Sequence, residues 1–124
     1  MKIYEIDPGK WDRGRGDGAN NPAVSLDGPG GMCCLGQVGV AEGLRVGGYG
    51  LPAECPSHKW EKLGLTYLRD DGDGDGYAVD TSLTDNLVRA NDDPDFSDID
   101  RIYRLNSILE EANADWRFKL KGAA

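Results

Sequence analysis

The chain has 124 residues, a formal charge of −8, 39% hydrophobic residues and eighteen glycines. That length makes one domain with a modest core, and the composition points to a loop-rich domain built from short elements. Three Trp, five Tyr and two Phe exclude a disordered chain, while the acidic balance excludes a general duplex nucleic-acid binder and disfavours an anionic membrane surface.

The charge is uneven along the chain. Residues 1–69 carry eight acids and eight bases, whereas residues 70–100 carry eleven aspartates against Arg89 alone. The remaining residues, 101–124, carry three acids and five bases. No window of about eighteen apolar residues occurs, so no membrane-spanning helix is expected. The start, Met1-Lys2-Ile3-Tyr4-Glu5-Ile6-Asp7, has no apolar signal core, which predicts a cytoplasmic protein. Cys33, Cys34 and Cys55 do not make a disulfide framework and are expected as thiols.

In chain order, Ile3 and Ile6 flank Glu5 in a short strand. Residues 7–22, rich in Gly, Asp, Arg and Asn, read as an ordered loop around Trp11, or as one short helical turn. Val24 and Leu26 alternate with polar neighbours as a strand would, and residues 27–31 form a turn. Residues 32–42 read as a short helix with Leu35, Val38 and Ala41 three apart and Gly43 at C′. Its small residues would allow another backbone to approach closely, and a buried strand is the alternative. Residues 43–58 read as loop. Leu63, Leu65 and Tyr67 alternate as a strand, residues 70–76 are an acidic glycine loop, and residues 77–80 return as the second arm of a hairpin. Leu83, Leu87 and Val88 put one apolar face on a helix over 83–91 with Ser82 as cap. Pro94 follows its end. Ser97 caps the next helix, whose stripe is Ile99, Ile102, Leu105, Leu109 and Ala112. Trp116, Phe118 and Leu120 alternate with basic residues in a last strand. The class is α+β: a small antiparallel sheet, a short central helix, and a longer C-terminal helix packed over the sheet.

Gly31-Met32-Cys33-Cys34-Leu35-Gly36 resembles the Cys-Cys-Leu-Gly signature of a family of small uncharacterised bacteriophage and prophage proteins. Trp11-Asp12-Arg13-Gly14, Leu26, Pro52, Trp60 and Asn91-Asp92 are similar to that family's other landmarks in order. The resemblance implies a phage context, without an established activity.

Four constellations carry chemistry. Cys33 and Cys34 at a helix start, with His58 as base, would suit a cysteine nucleophile, since a helix N-terminus lowers a thiol pKa. Close packing of small side chains is the alternative, and no catalytic residue is assigned. Cys33, Cys34, Cys55 and His58 together offer a Cys₃His set for zinc, although adjacent cysteines diverge. Asp71, Asp73 and Asp75, followed by Gly76, match the first half of a calcium loop, and Ser82 stands where a bidentate Glu would belong. A solvated hairpin tip is the alternative, and no cofactor is expected unless this loop takes Ca²⁺.

Trp11, Arg13 and Arg15 could hold a small anionic ligand such as a nucleotide by stacking and bidentate contacts, with Cys34, Asn91 and Asp92 completing the pocket. Arg13 and Arg15 could instead pair with the protein's own aspartates. Asn91 and Asp92 could serve backbone groups in a turn. The expected function is a phage-encoded, non-enzymatic accessory protein that binds a host or phage factor, in its most concrete form inhibiting a host defence or nucleic-acid enzyme. Sequestration of a small ligand is the alternative, and a calcium-binding structural protein is a third.

Overall fold

The computed structural model describes residues 1–12, 32–46, 51–54, 57–70 and 76–122. In chain order they form β1 (Lys2–Ile6), a 3-10 turn (Pro8–Lys10), α1 (Cys34–Ala41), a second 3-10 turn (Pro52–Glu54), α2 (His58–Lys62), β2 (Thr66–Asp70), β3 (Gly76–Asp80), α3 (Ser82–Asp92), α4 (Asp98–Glu111) and β4 (Trp116–Leu120). The class is α+β, with a two-stranded antiparallel sheet, β2–β3, and a two-stranded parallel sheet, β1–β4. The strand predicted around Val24 and Leu26 lies outside the described residues.

The parallel pair is the main departure from the expected single antiparallel sheet. β1 and β4 pair from Lys2↔Trp116 to Ile6↔Leu120. Parallel strands need a crossover, and here nearly the whole chain supplies it. The inner face of the pair is aromatic. Trp116 meets Tyr4 edge-on at 5.5 Å and Phe118 at 5.4 Å between ring centroids, geometries that aromatic quadrupoles favour.

Two strands leave two open edges, and side-chain amides from the flanking helices bond the backbone of β4 and of the residue that follows β1. Asn106 of α4 donates Nδ2 to the Phe118 carbonyl at 2.9 Å and accepts the Phe118 N–H at 2.8 Å. Gln37 of α1 does the same at Asp7, donating to its carbonyl at 3.2 Å and accepting its N–H at 2.7 Å. Each amide offers a donor and an acceptor, as a neighbouring strand would.

Three helices stop in the same way. After α1, Gly43 has φ +81°, the Leu44 N–H reaches the Gly39 carbonyl, and the Gly43 N–H reaches Val40. α2 ends likewise at Gly64, with Leu65 reaching Trp60 and Gly64 reaching Glu61. α4 ends at Asn113, φ 57°, with Ala114 reaching Leu109 and Asn113 reaching Glu110. These are Schellman motifs, and the left-handed residue is Gly or Asn because other side chains are strained there.

This arrangement corrects two readings. Leu63-Gly64-Leu65 is the exit of α2 and not the start of a strand, which begins at Thr66. A left-handed Gly between two leucines imitates the alternation of a strand. Residues 43–58, read as loop, also contain the second 3-10 turn and the start of α2, whose N-cap Ser57 accepts the Lys59 N–H at 3.1 Å.

Two smaller corrections concern α3 and α4. The N-cap of α3 is Thr81, whose hydroxyl accepts the Thr84 N–H at 3.3 Å, and Ser82 is the first helical residue. Ser97 caps α4 by accepting the Asp100 N–H at 3.1 Å. The buried face of α4 is Arg101, Leu105, Ile108 and Leu109, whereas Ile99 is 72% exposed and Ala112 lies past the last turn. Ile99 and Leu105 differ by about 120° around a 3.6-residue helix, too wide for one buried stripe.

The core joins these parts. Trp60, Leu65, Leu35, Val38, Leu87, Leu105 and Leu109 are fully buried in one cluster with the aromatic face of the parallel pair. Leu63, Gly64 and Leu65 present carbonyls that receive Trp116 Nε1, Thr81 Oγ1 and Thr84 Oγ1, at 3.1, 2.7 and 2.6 Å. The exit of α2 is therefore pinned by both α3 and β4, which fixes where the β2–β3 hairpin leaves the core.

Candidate functional site

Trp11, Cys34, Asn91 and Asp92, predicted as ligand-binding residues, meet at one place. The Asn91 Oδ1 accepts Trp11 Nε1–H at 2.6 Å and the Cys34 backbone N–H at 3.0 Å. Its Nδ2 donates to the Asp12 carbonyl at 2.9 Å and to Asp92 Oδ1 at 3.2 Å. Trp11 and Met32 form a parallel bridge, with Asp12 N–H on the Met32 carbonyl and Met32 N–H on the Lys10 carbonyl. Asn91 therefore ties residue 12 to residue 34 at both ends of residues 13–31. Trp11, Cys34 and Asn91 are buried, with these polar groups turned onto one another. Arg13 and Arg15 lie outside the described residues.

Arg101 joins this junction, and the sequence reading missed it. Its guanidinium lies 5.5 Å from the Trp11 ring centroid, donates to the Asp93 carbonyl and pairs with Asp98 at 3.4 Å. The signal was present: Asp98, Arg101 and Leu105 are at helical spacing, and a buried cation needs such partners. Burial pushes the Asp92 carboxyl up to about 6, with Asp12 adding to the rise, against the Asn91 hydrogen bond and the Arg101 charge.

The cysteines have structural work at the same junction. Cys33 is the N-cap of α1, its Sγ accepting the Gly36 N–H at 3.4 Å. Burial pushes the Cys33 thiol up to about 12 and raises Cys34 well above its ordinary value. That is opposite to the lowering a nucleophile at a helix start requires. His58 is on the surface, its side chain 88% exposed and its Nδ1 3.2 Å from Glu61 Oε2. Cys55, and the calcium-loop residues Asp71, Asp73 and Asp75, lie outside the described residues. Among the described residues, no group of three His, Cys, Asp or Glu side chains is placed to hold a metal ion.

The second candidate is the β2–β3 hairpin, whose surface character the alternation pattern did not predict. Register pairs Tyr67 with Val79, Leu68 with Ala78 and Arg69 with Tyr77. Alternation puts Tyr67, Arg69, Tyr77 and Val79 on one face, and Thr66, Leu68 and Ala78 on the other. Thr66 is buried at the root. Further out, Tyr67, Leu68 and Tyr77 are 47%, 61% and 46% exposed, so large apolar groups face solvent on both sides.

A groove of about 480 Å³ lies between the hairpin and the segment leading into α2, lined by Leu68, Tyr77 and Ala78 opposite Ala53, His58 and Glu61. Asp80 holds one of its walls in place, accepting the N–H of the lining residue Ala53 at 2.9 Å. Burial raises the Asp80 carboxyl, and the like charges of Asp85 and Glu54 raise it further.

Among the described residues, no helix is long and apolar enough to cross a membrane. No family model, curated protein or solved structure matches the chain.

Proposed function

We propose that this chain is a phage-encoded, non-enzymatic accessory protein that binds a host or phage protein in the host cytoplasm. The β2–β3 hairpin is the contact surface. The observation that carries this reading is the exposure of Tyr67, Leu68 and Tyr77 on an element that pairs with no other strand among the described residues. Tyr and Arg are enriched where proteins meet, and a two-stranded ribbon gains stability when a partner covers it. The non-enzymatic part rests on the junction: Cys33, Cys34, Trp11 and Asn91 use their polar groups to hold the fold together. Inhibition of a host defence or nucleic-acid enzyme is the most concrete form of this function.

The test is affinity capture from phage-infected and uninfected host lysate, at low and moderate salt, with wild type and a Tyr67→Ser/Tyr77→Ser double variant. A protein retained by wild type and lost from the folded variant supports the reading. No retained protein at either salt, or equal retention by both, would sink it.

A further inference from the structure

The groove beside the hairpin has a chemistry that selects among protein partners. Its walls are apolar where they are most open: Leu68 is the most exposed large hydrophobic side chain of the hairpin, and Ala53 and Ala78 stand with it around the same space. Such a wall takes an aliphatic side chain and releases its hydration. The surroundings are acidic. Glu61 lines the groove, and Asp80, bonded to the lining residue Ala53, stands near enough to Asp85 and Glu54 for their charges to act on it. β3 and α3 also belong to the stretch 70–100, which carries eleven aspartates against Arg89 alone. Arg69, the one base of the hairpin strands, is on the opposite face from Leu68. His58 is the basic-type side chain in the lining, and it is paired with Glu61. An occupant with positive charge flanking an aliphatic group meets complementary chemistry at both levels, whereas an acidic occupant meets repulsion.

We infer that the groove between the β2–β3 hairpin and α2 is the docking site for a basic segment of a protein partner, which seats an aliphatic side chain against Leu68 and Ala78 with Lys or Arg on either side. This rests on the protein-binding reading above and specifies its site and partner chemistry. The charges steer the segment in and weaken with salt, while the apolar contact fixes its position.

The probe is a fluorescein-labelled synthetic peptide of alternating Lys with Leu and Val, titrated with the full chain and followed by anisotropy. Two control peptides replace either Lys by Glu or the aliphatic residues by Gly. The informative variant is Leu68→Asp. It removes the apolar wall and adds a negative charge, so attraction by net charge alone would tighten binding, whereas seating in the groove would be lost. Ile99→Asp adds the same charge on exposed α4 and serves as the reference.

The expected result is binding of the Lys/Leu/Val peptide by wild type and by Ile99→Asp. Leu68→Asp and the Gly control should each weaken it by about tenfold or more, and the Glu control should not bind. Absence of binding by wild type, equal or tighter binding by folded Leu68→Asp, equal binding of the Gly control, or binding of the Glu control would each overturn the inference. A lysate partner still lost on Tyr67→Ser/Tyr77→Ser would then leave the broader function standing without this site.

Discussion

The indole N–H of Trp11 and the side-chain oxygen of Asn91 are 2.6 Å apart in space and 80 residues apart in sequence. The same oxygen takes the Cys34 N–H, and the amide nitrogen takes the Asp12 carbonyl. Replacing Asn91 with Leu fills similar space and breaks all three links inside the core. Buried polar groups left unmade cost about 1–3 kcal/mol each, so with local relaxation Asn91→Leu should lose about 3 kcal/mol. Urea unfolding followed by tryptophan fluorescence measures this. A loss below about 1 kcal/mol would show that the junction does not hold residues 12 and 34 together.

Asn91→Asp separates the two halves of that amide. The acceptor for Trp11 and Cys34 remains, but the donor becomes a second carboxylate oxygen facing the Asp12 carbonyl and Asp92. This variant should be less stable than wild type at pH 7 and recover part of the difference at pH 5, where a carboxyl in such surroundings binds a proton. The check is the melting temperature at both pH values, and an equal deficit at both would contradict it.

Asp92 gives the wild-type protein a pH dependence of defined sign. Its folded-state pKa is raised from 3.8 to about 6. Between those values the folded state binds the proton more tightly than the unfolded chain, so this group favours folding at the acid end. The contribution is full below the unfolded value and is lost as pH rises through about 6. Asp80 is shifted in the same direction. Glu42 is lowered, chiefly by its hydrogen bonds from Lys2 and Tyr4, so its contribution disappears only as pH falls through that lowered value. Over pH 7 to 5, therefore, melting temperature should rise relative to Asp92→Asn. Parallel curves for wild type and Asp92→Asn would refute the assignment.

Reactivity of the thiols follows from their burial. With Cys33 1% and Cys34 0% exposed and both pKa values raised, iodoacetamide at neutral pH should label neither in the native protein. Both should be labelled at the rate of unfolding once denaturant is added. Site-resolved mass spectrometry distinguishes them from Cys55. Rapid native labelling at Cys33 or Cys34 would restore the nucleophile reading.

What could be read from the sequence was what local chemistry determines. Ser97 as cap, Gly43 at C′ and the hairpin arm at 77–80 each depend on a few neighbouring residues, and each stands in the structure. The pairing of β1 with β4 depends on strands at opposite ends of the chain, and no local pattern encodes its direction. The junction was half legible. Trp11, Cys34 and Asn91 could be grouped as polar or distinctive residues, but the sequence does not say that Asn91 faces inward to tie two chain segments rather than outward to a ligand. The groove was hidden for another reason. It needs α2, which its short length concealed, and Leu63-Gly64-Leu65 suggested a strand three residues too early.

Gly39 tests how closely α1 packs on the core. Small residues on this helix predicted a close approach by another backbone. The structure shows a close approach by side chains instead: a Cβ at Gly39 would lie 2.5 Å from Val46 Cγ1 and 2.9 Å from the nearest Trp60 ring carbon. Two effects oppose each other in Gly39→Ala. Helix propensity favours Ala by about 1 kcal/mol, whereas forcing a methyl group into a packed core costs about 1–3 kcal/mol and more when the neighbours cannot move. Trp60 is fully buried, and the 2.5 Å approach to Val46 is shorter than real contacts allow, so the clash should win and the melting temperature should fall. Val46→Ala removes the nearer obstacle. In that background Gly39→Ala should cost less than it does in wild type, because the two sites share one space. A double-mutant cycle by thermal unfolding measures the difference. Additive effects, or a stabilised Gly39→Ala single variant, would mean that α1 has room to move away from Trp60.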